Sequence, residues 1–240
     1  METITIIQAR MGSTRLPGKI LKTLGDVDVL SYNVARCRAI KGVGEVIVAT
    51  SCLLQDDEIA GWCEKNGVKY FRGSEDDVLE RYVQCAQVYN PDYIMRVTSD
   101  CPFVDYEMAS EIVELMERER KDVVILEGEL PRGLAVELIS YEALLRINEQ
   151  GKESRHREHV TYYAYEFKEQ FETAIYKTPL NRRSPELRIT LDTEEDYDLL
   201  VEVANHFNDP LISSAEVIYF LKNTPKVASI NAHIEQKPVV

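Results

Sequence analysis

The sequence predicts an α/β protein with a mainly parallel, mixed sheet and helices on both faces of that sheet. Short apolar runs of strand length alternate with segments whose apolar residues recur at helical spacing. Several of the strand runs are continuously apolar, which is typical of parallel strands buried on both faces. The chain of 240 residues is also long enough to bury a large core without disulfides or metal ions.

Five strands, separated by helices, are predicted over the first half of the chain. The strands cover residues 3–7, 45–50, 68–71, 93–98 and 122–126. The helices are expected around residues 30–37, 56–66, 79–86 and 108–116. Gly67 is suited to end the second helix, and Asp76 and Asp77 are suited to the N-terminus of the third. Strands that alternate with helices in this way favour a parallel sheet built from crossover units.

The pattern is less regular after Gly128. Strands are expected at residues 134–139, 173–177 and 187–191, and helices at 141–149, 156–167 and around 197–204. This stretch contains no low-complexity linker and no internal repeat. We therefore expect a single domain over residues 1–240, with an insertion at about 128–186 that rejoins the main sheet.

The charge balance bears on the class of partner. The chain has 41 acidic against 28 basic side chains and a formal net charge of −13. Such a charge argues against a general binder of nucleic-acid polymers or membrane surfaces, because both partners favour a basic face. Residues 1–40 nevertheless contain six Lys or Arg against three Asp or Glu. This positive island favours one small anionic ligand, although ordinary solvated surface charge would give the same counts.

The cysteines and the apolar runs predict a cytoplasmic protein. The five cysteines are scattered and form no CxxC pair, so neither a disulfide framework nor a structural zinc site is expected. No apolar run approaches the roughly 20 residues that a membrane-spanning helix needs. The N-terminal residues lack the basic start and cleavage site of a signal peptide.

The loop that follows the first strand is the segment from Gln8 to Lys19, QARMGSTRLPGK. In open α/β sheets, ligands bind beyond the carboxyl ends of the strands. The two glycines of this loop allow backbone N–H groups to approach an anion, and Arg10, Arg15 and Lys19 supply charge that can surround a triphosphate. The spacing differs from that of a P-loop, and no GxGxxG is present. The other interpretation is a polar turn with accidental basic residues.

Two aspartates are candidate metal ligands. Asp100 follows the fourth predicted strand, and Asp192 follows the predicted strand at 187–191. Both should project from the edge of the sheet that carries the first loop. Two carboxylates from separate strands, together with phosphate oxygens, are a typical environment for Mg²⁺. Taken singly, each aspartate could instead belong to a turn or a helix start, with Thr193 as the helix cap.

Seven segments of the chain resemble one known family. They are QARMGSTRLPGK at 8–19, EVIVAT at 45–50, DVLERY at 77–82, SDCPFVD at 99–105, PRGLAVE at 131–137, REHVTYY at 157–163 and LRITLDTEEDYDLL at 187–200. Together they are similar to the spore coat polysaccharide biosynthesis protein F family, which is grouped with the CMP-KDO synthetases and acylneuraminate cytidylyltransferases. The resemblance implies a Rossmann-like nucleotidyltransferase fold and a homodimer, with the insertion binding the acceptor and contributing to the dimer.

The resemblance also implies a reaction. The expected enzyme uses Mg²⁺, transfers CMP from CTP to a hydroxyl of a small acidic or modified sugar, and releases pyrophosphate, for surface polysaccharide or glycan synthesis. Ser99 stands where the family often has Gly, and Ala135 stands where Asp is common, which leaves the acceptor sugar open. One alternative is a nucleotidyltransferase for another nucleoside triphosphate or for a sugar phosphate. The other alternative is a catalytically silent, nucleotide-binding regulatory domain.

Roles for individual residues follow from the matched segments. The expected catalytic residues are Arg10, Lys19, Asp100 and Asp192, of which the two aspartates bind the metal ion. The expected nucleotide-binding residues are Gln8, Ala9, Arg10, Met11, Gly12, Ser13, Arg15, Lys19, Asp77, Arg81 and Ser99. The expected acceptor-binding residues are Arg132, Glu137, Arg157 and His159.

Some of these residues have simpler interpretations. Asp77 and Arg81 could be a helix N-terminal charge and an i, i+4 ion pair. His156 and His159 are spaced for one helical turn, but two histidines without a third ligand make a weak zinc site. Cys101 is interpreted as a packing residue.

Overall fold

Seven strands form one mixed sheet in the computed structural model, which describes residues 1–235. Residues 236–240 of the predicted domain lie outside the described residues. The sheet order is β5-β4-β1-β6-β8-β7-β9, and a separate two-stranded hairpin pairs β2 with β3. The strands are β1 (Thr3–Gln8), β2 (Thr23–Leu24), β3 (Val27–Asp28), β4 (Val43–Ser51), β5 (Lys69–Gly73), β6 (Tyr93–Thr98), β7 (Val123–Glu127), β8 (Glu137–Ser140) and β9 (Thr173–Lys177).

The strand directions confirm the predicted mixed, mainly parallel sheet. β1 pairs in parallel with both β4 and β6, and β7 pairs in parallel with β9. Only β8 runs the other way among the seven strands over residues 1–235, since it is antiparallel to both β6 and β7. The carboxyl ends of the central parallel strands therefore meet at one edge of the sheet.

Helices cover both faces of the sheet. They are α1 (Val29–Arg38), α2 (Asp57–Lys65), α3 (Val78–Tyr89), α4 (Tyr106–Glu119), α5 (Tyr141–Gln150), α6 (Ser154–Glu158), α7 (Tyr162–Glu166), α8 (Glu194–Phe207), α9 (Ser214–Asn223) and α10 (Pro225–Ala228). Polar N-caps begin several of them: Asp77 accepts from the backbone N–H of Glu80, and Ser140 accepts from that of Ala143.

The core consists of one apolar cluster on each face of the sheet and a third beside them. Met95 and Val97 of β6 pack with residues of α1 and α4. Ile94, on the opposite face of the same strand, packs with residues of α3 and α5. This alternation is the period of two that a strand imposes on its side chains. The third cluster lies under α8 and α9 and includes Leu134 and Ile189.

Three sequence predictions of secondary structure differ from the structure. The segment 187–191 is not a strand: it forms an isolated bridge between Arg132 and Arg188. Its alternating apolar residues fill the third cluster instead of a place in the sheet. The predicted helix 156–167 is divided into α6 and α7, because the backbone leaves the helical conformation at His159 (φ −105°, ψ 55°). The strand expected at 134–139 begins only at Glu137.

Sequence patterns did not predict the β2–β3 hairpin, α9 or α10. In the region of the predicted insertion, β8 and β9 both join the main sheet. The boundaries of that insertion stay a prediction. Among the described residues, no helix combines the length and apolar character needed to cross a membrane.

Candidate active site

The loop after β1 lies at the carboxyl edge of the sheet, between the ends of β4 and β6. The Ala9 N–H donates to the Ala49 carbonyl at 3.1 Å, and the Ser99 N–H donates to the Gln8 carbonyl at 3.0 Å. These bonds continue the pairing of β1 with both neighbours and fix where the loop begins. Gln8, Ala9 and Ser99, all predicted nucleotide-side residues, are therefore adjacent at this edge.

Two further hydrogen bonds fix the conformation of the loop after β1. The Met11 N–H donates to Asp56 Oδ1 at 2.7 Å, and the Leu16 N–H donates to Ser13 Oγ at 3.2 Å. Gly12 lies so close to its neighbours that a Cβ there would be 2.9 Å from Gln55 Nε2. Gly18 adopts a left-handed backbone with φ 66°, which favours glycine. The left-handed backbone thus gives Gly18 a conformational reason beyond ligand approach, whereas the close contact at Gly12 is with the end of a flexible side chain.

Lys19 brings the two predicted metal ligands together. Its Nζ donates to Asp192 Oδ1 at 3.1 Å, to Asp100 Oδ2 at 3.4 Å and to the Leu191 carbonyl at 2.6 Å. The backbone supports this meeting, because the Leu191 N–H donates to the Asp100 carbonyl at 2.7 Å. Asp192 therefore reaches the edge of the sheet although the segment before it is not a strand.

Asp192 receives two further cations. Arg15 Nη2 lies 3.2 Å from Oδ1, and Arg188 Nη2 lies 2.9 Å from Oδ2. Burial alone would raise the pKa of Asp192, but the charges of Lys19, Arg15 and Arg188 outweigh it. The pKa of this carboxyl therefore lies below its ordinary value. Asp192 is held as a carboxylate, the form that a metal ligand requires.

Asp192 is oriented by a buried polar network behind it. Arg188 Nε donates to Asp196 Oδ1 at 2.8 Å, and the Asp192 N–H donates to Asp196 Oδ2 at 2.9 Å. Asn231 Nδ2 donates to both Asp196 Oδ1 and the Arg188 carbonyl. Thr193 and Asp196 also form a capping box at the start of α8, so Thr193 is the cap that the sequence suggested. Asp192, which precedes the cap, remains directed at Lys19.

Asp100 is positioned by α1. Asn33 Nδ2 donates to the Ser99 carbonyl at 2.8 Å, and Arg36 Nε donates to the Val104 carbonyl at 2.8 Å. Both side chains are fully buried. They hold the two ends of the turn that carries Asp100. The sequence analysis missed these residues because a buried polar residue on a helix has no recognisable local signal.

Arg10 and Arg81 lie on the α3 side of the first loop. Arg10 Nη1 donates to Glu75 Oε1 at 3.1 Å. Arg81 is only 1% exposed and donates to the Ser74 carbonyl at 2.5 Å. Burial lowers the pKa of Arg81, with Glu75 opposing the shift. The suggested i, i+4 ion pair of Arg81 with Asp77 is not formed, because Asp77 has another partner.

That partner is Arg157, one of the predicted acceptor residues. Its Nε lies 2.9 Å from each carboxylate oxygen of Asp77, and its Nη2 lies 2.6 Å from Oδ2. Arg157 Nη1 also contacts the carbonyls of Asn148 and Gly151 at 3.3 and 3.4 Å. The structure therefore joins a predicted nucleotide residue to a predicted acceptor residue. The pair fastens α6 to the start of α3.

Glu137 and His159 lie together on the other part of the acceptor side. Glu137 Oε2 accepts from Arg96 Nη1 at 2.8 Å and from the hydroxyl of Thr161. Arg96 Nε also donates to Gln8 Oε1 at 3.2 Å, which connects this group to the first loop. Burial lowers the pKa of His159, and the charge of Arg96 lowers it further. His159 is therefore favoured in its neutral form.

Arg132 remains exposed near this group, and its charge also lowers the pKa of His159. Its backbone exchanges hydrogen bonds with the segment leading to Asp192: the Arg132 N–H donates to the Leu187 carbonyl, and the Ile189 N–H donates back at 2.7 Å. Arg96 is the main residue of the acceptor side that the sequence did not predict. It has no motif around it that singles it out.

A cysteine nucleophile and a zinc site have little support in this structure. Burial raises the pKa of the Cys101 thiol to about 12, so this cysteine is a poor nucleophile, in agreement with its interpretation as a packing residue. His156 is buried, and its Nε2 is bonded to Glu166 Oε2 at 2.7 Å. Residues 1–235 contain no group of three or more His, Cys, Asp or Glu that could hold a metal ion.

Asp100 and Asp192 nevertheless fit a magnesium ion that arrives with phosphates. Their carboxylates contact the same Lys19 ammonium, so they converge on one position. Hard oxygen ligands of this kind are what Mg²⁺ prefers, and it commonly takes only one or two carboxylates beside substrate phosphates and water.

A parallel α/β sheet whose carboxyl edge gathers a cationic loop and two carboxylates defines the general class of an α/β nucleotidyltransferase. A family model described as cytidylyltransferase matches residues 4–228 of this chain. The chain belongs to the cytidylyltransferase family, as its motifs predict.

Individual relatives agree with this assignment. Spore coat polysaccharide biosynthesis protein SpsF of Bacillus subtilis is 34% identical over 234 residues, covering 95% of this chain and 97% of that protein. A cytidylyltransferase structure from Leptospira borgpetersenii superposes with a TM-score of 0.90 at 31% identity, covering 99% of this chain and 100% of that one. The resemblance, the fold class and the enzyme class predicted from the sequence are thereby confirmed.

Two further solved structures show the fold alone. A CMP:2-keto-3-deoxy-manno-octonic acid synthetase complexed with CTP has a TM-score of 0.66 at 14% identity, covering 86% of this chain and 100% of that one. A Mycobacterium tuberculosis protein in complex with manganese has a TM-score of 0.57 at 13% identity, covering 84% of this chain and 99% of that one.

Proposed function

We propose that this chain is a Mg²⁺-dependent cytidylyltransferase that transfers CMP from CTP to a hydroxyl of a small acidic or modified sugar and releases pyrophosphate. The observation that carries the proposal is the convergence of Lys19, Asp100 and Asp192 beside the first loop. The CTP bound to one protein of the same fold and the manganese bound to another support the choice of a nucleotide and a divalent ion.

The chemistry is a displacement at the α-phosphorus. The sugar hydroxyl oxygen forms a bond to this phosphorus and gives up its proton to solvent, while the bond from phosphorus to the pyrophosphate oxygen breaks and pyrophosphate leaves with the electron pair. Lys19 and Arg10 hold the β- and γ-phosphates and stabilise the charge that develops on the leaving pyrophosphate. Mg²⁺ held by Asp100 and Asp192 supplies further neutralisation at phosphate oxygens. Gly12 offers its backbone N–H group to the phosphates, in a loop that Asp56 already holds in place.

The acceptor is proposed to bind on the side of β8, α6 and α7. Glu137 offers a carboxylate oxygen to sugar hydroxyls, and neutral His159 can donate or accept a hydrogen bond. Exposed Arg132 supplies positive charge for an acidic sugar. We assign Arg157 as a positioning residue, since Asp77 and two carbonyls take its donors. The name of the Bacillus subtilis relative supports a role in surface polysaccharide synthesis.

Calorimetry with CTP, UTP, GTP and ATP, each with Mg²⁺, tests the nucleotide half of the proposal. CTP should bind selectively. Lys19→Ala should abolish CTP binding, because the Lys19 ammonium lies beside both carboxylates and is the proposed partner of the β- and γ-phosphates. Lys22→Ala is the matched control: Lys22 contacts Glu194 at 3.1 Å and neither aspartate. Preference for another nucleotide would mean that a different nucleoside triphosphate is the substrate. Binding of none of the four would favour a regulatory domain. Pyrophosphate release with acidic sugars then tests the transfer half.

The proposed enzyme is a cytoplasmic homodimer, and light scattering tests the assembly. A dimer should give about twice the chain mass of 27.5 kDa. A monomer at micromolar concentration would contradict the dimer without affecting the assignment of the nucleotide site.

A further inference from the structure

The ammonium group of Lys19 is fully engaged. It has three N–H donors, and the structure gives it three acceptors: the Leu191 carbonyl at 2.6 Å, Asp192 at 3.1 Å and Asp100 at 3.4 Å. The side chain is only 11% exposed. Lys19 is therefore part of the carboxylate pair itself, with its charge placed between the two groups.

A divalent ion bound by both aspartates would need this same position. Magnesium binds carboxylate oxygens at about 2.0–2.1 Å, so a shared ion would lie between the two carboxylates, where Nζ is. The ammonium and the ion also repel each other at such a short separation. The two cations are thus alternatives on one pair of carboxylates.

The pair also offers a divalent ion few ligands by itself. Among residues 1–235 no third His, Cys, Asp or Glu completes a metal-binding group. Nucleotide phosphates would supply the remaining oxygens and would also offer Lys19 a new anionic partner. Nucleotide phosphates would therefore complete the ligands of the divalent ion and would also attract the Lys19 ammonium away from the two carboxylates.

We propose that Lys19 is a resident cation that excludes divalent ions from Asp100 and Asp192 until nucleotide phosphates bind its ammonium group. This inference rests on the proposed function, since it assigns the order in which that site fills. The metal ion binds together with the nucleotide, and Lys19 exchanges its carboxylate contacts for phosphate contacts.

Titration of the full chain with Mn²⁺ alone, followed by the electron paramagnetic resonance signal of the free ion, tests the proposal. Wild-type protein should bind Mn²⁺ weakly without nucleotide, and Lys19→Met should bind it at least about tenfold more tightly. Lys22→Met, which removes a nearby lysine that contacts neither aspartate, should match wild type. Adding Asp192→Asn to Lys19→Met should remove the gain. Equal affinity of wild type and Lys19→Met would overturn the proposal.

A measurement on wild-type protein covers the case in which Lys19→Met fails to fold. Mn²⁺ alone should leave the thermal unfolding midpoint unchanged, and Mn²⁺ with CTP should raise it. A midpoint raised as far by Mn²⁺ alone would overturn the proposal, because the ion would then need no nucleotide. If no nucleotide binds, the proposed function fails, and the Mn²⁺ titrations of the two variants still decide whether Lys19 excludes the ion.

Discussion

The nucleotide side and the acceptor side of the site distribute their charges in different ways. On the nucleotide side, Asp192 receives three cations but shares two of them, since Lys19 also contacts Asp100 and Arg188 also contacts Asp196. On the acceptor side, Arg157 forms a bidentate pair with Asp77 and also lies 3.7 Å from Glu80. The cations of the first arrangement divide their contacts among carboxylates and can exchange partners with an anion, whereas the donors of Arg157 are taken up within the protein.

This difference distinguishes residues that bind a ligand from residues that position elements of the fold. Ion pairs that are shared and partly exposed can exchange partners with a ligand, and Asp100, with a 31% exposed side chain, lies at such an accessible edge. A matched bidentate pair has used its donors and acceptors, so its main effect is on the placement of the elements it joins. Changes on the nucleotide side should therefore affect turnover most, and changes on the acceptor side should affect stability first.

The largest expected effect is on turnover, in Asp100→Asn and Asp192→Asn. Each should lower the rate of pyrophosphate release by about 10²–10³-fold or more, because preorganised charge at the reacting phosphate is lost. Glu194→Gln is the control, since Glu194 is exposed in the same segment and, among the ion pairs within residues 1–235, contacts only Lys22. Circular dichroism would establish that the variants are folded. Wild-type rates in either aspartate variant would remove that residue from the metal site.

The next effect concerns Gly133, where the two sides are joined. Its φ of 98° disfavours any side chain, and a Cβ would lie 2.6 Å from the carbonyl carbon of Ile189. Gly133→Ala should lower the free energy of unfolding in urea by about 1–3 kcal/mol from the backbone conformation, and the contact adds to this loss. Gly61→Ala in α2 meets no atom within 4 Å and should stabilise by up to about 1 kcal/mol. Equal midpoints for the two variants would contradict the predicted constraint.

A smaller effect is expected for the Asp77–Arg157 pair. A double-mutant cycle with Asp77→Asn and Arg157→Gln should give a coupling free energy of about 1–2 kcal/mol in urea unfolding, since the pair is bidentate and partly buried. The exposed pair Glu114–Arg118 provides the comparison and should give about 0.3–0.5 kcal/mol. CTP affinity should change little if the pair only positions α6. A coupling near zero would show that the pair does not fasten α6 to α3.

The smallest effects are in the pH dependence of stability, and they separate the two sides. Both His159 and Asp192 have lowered pKa values in the folded protein. Below its unfolded pKa each group binds more protons in the unfolded state, so acid destabilises the fold. The contribution of His159 should be complete above about pH 6.5 and decrease below it, whereas that of Asp192 should decrease only below about pH 3.9.

Urea midpoints of wild type, His159→Gln and Asp192→Asn, measured from pH 7.5 down to pH 3, test these two windows. The difference between wild type and His159→Gln should shrink between pH 7 and pH 5. The difference between wild type and Asp192→Asn should stay constant there and shrink near pH 3. The pKa directions would be wrong if the two variants changed in the same window.

Topology explains which parts of the site could be predicted from the sequence. Lys19 and Asp100 follow parallel strands, and any such residues meet at the carboxyl edge of the sheet. Asp192 was placed there for a wrong reason, because its segment is not a strand. Its position instead depends on the hydrogen bond between Leu191 and the Asp100 carbonyl. A contact between residues so far apart in sequence leaves no local pattern.

The buried polar partners were the part that sequence reasoning missed. Asn33, Arg36 and Asn231 occur singly among ordinary neighbours, and only the packing reveals what they hold. The division of the predicted helix at His159 was missed for a similar reason. Thr161, just beyond that break, bonds Glu137 on β8, and such a contact between separate elements overrides helical periodicity.

The contacts of Asn231 give the site an order of assembly during protein synthesis. The ribosome produces the first loop and β6 early, and chains generally fold from the N-terminal part onward as they emerge. A nascent chain that has reached β6 can already align β1 between its two parallel neighbours. The network behind Asp192 is completed only when Asn231, beyond α10, has been translated. The loop after β1 is therefore formed first, and Asp192 acquires its fixed orientation last.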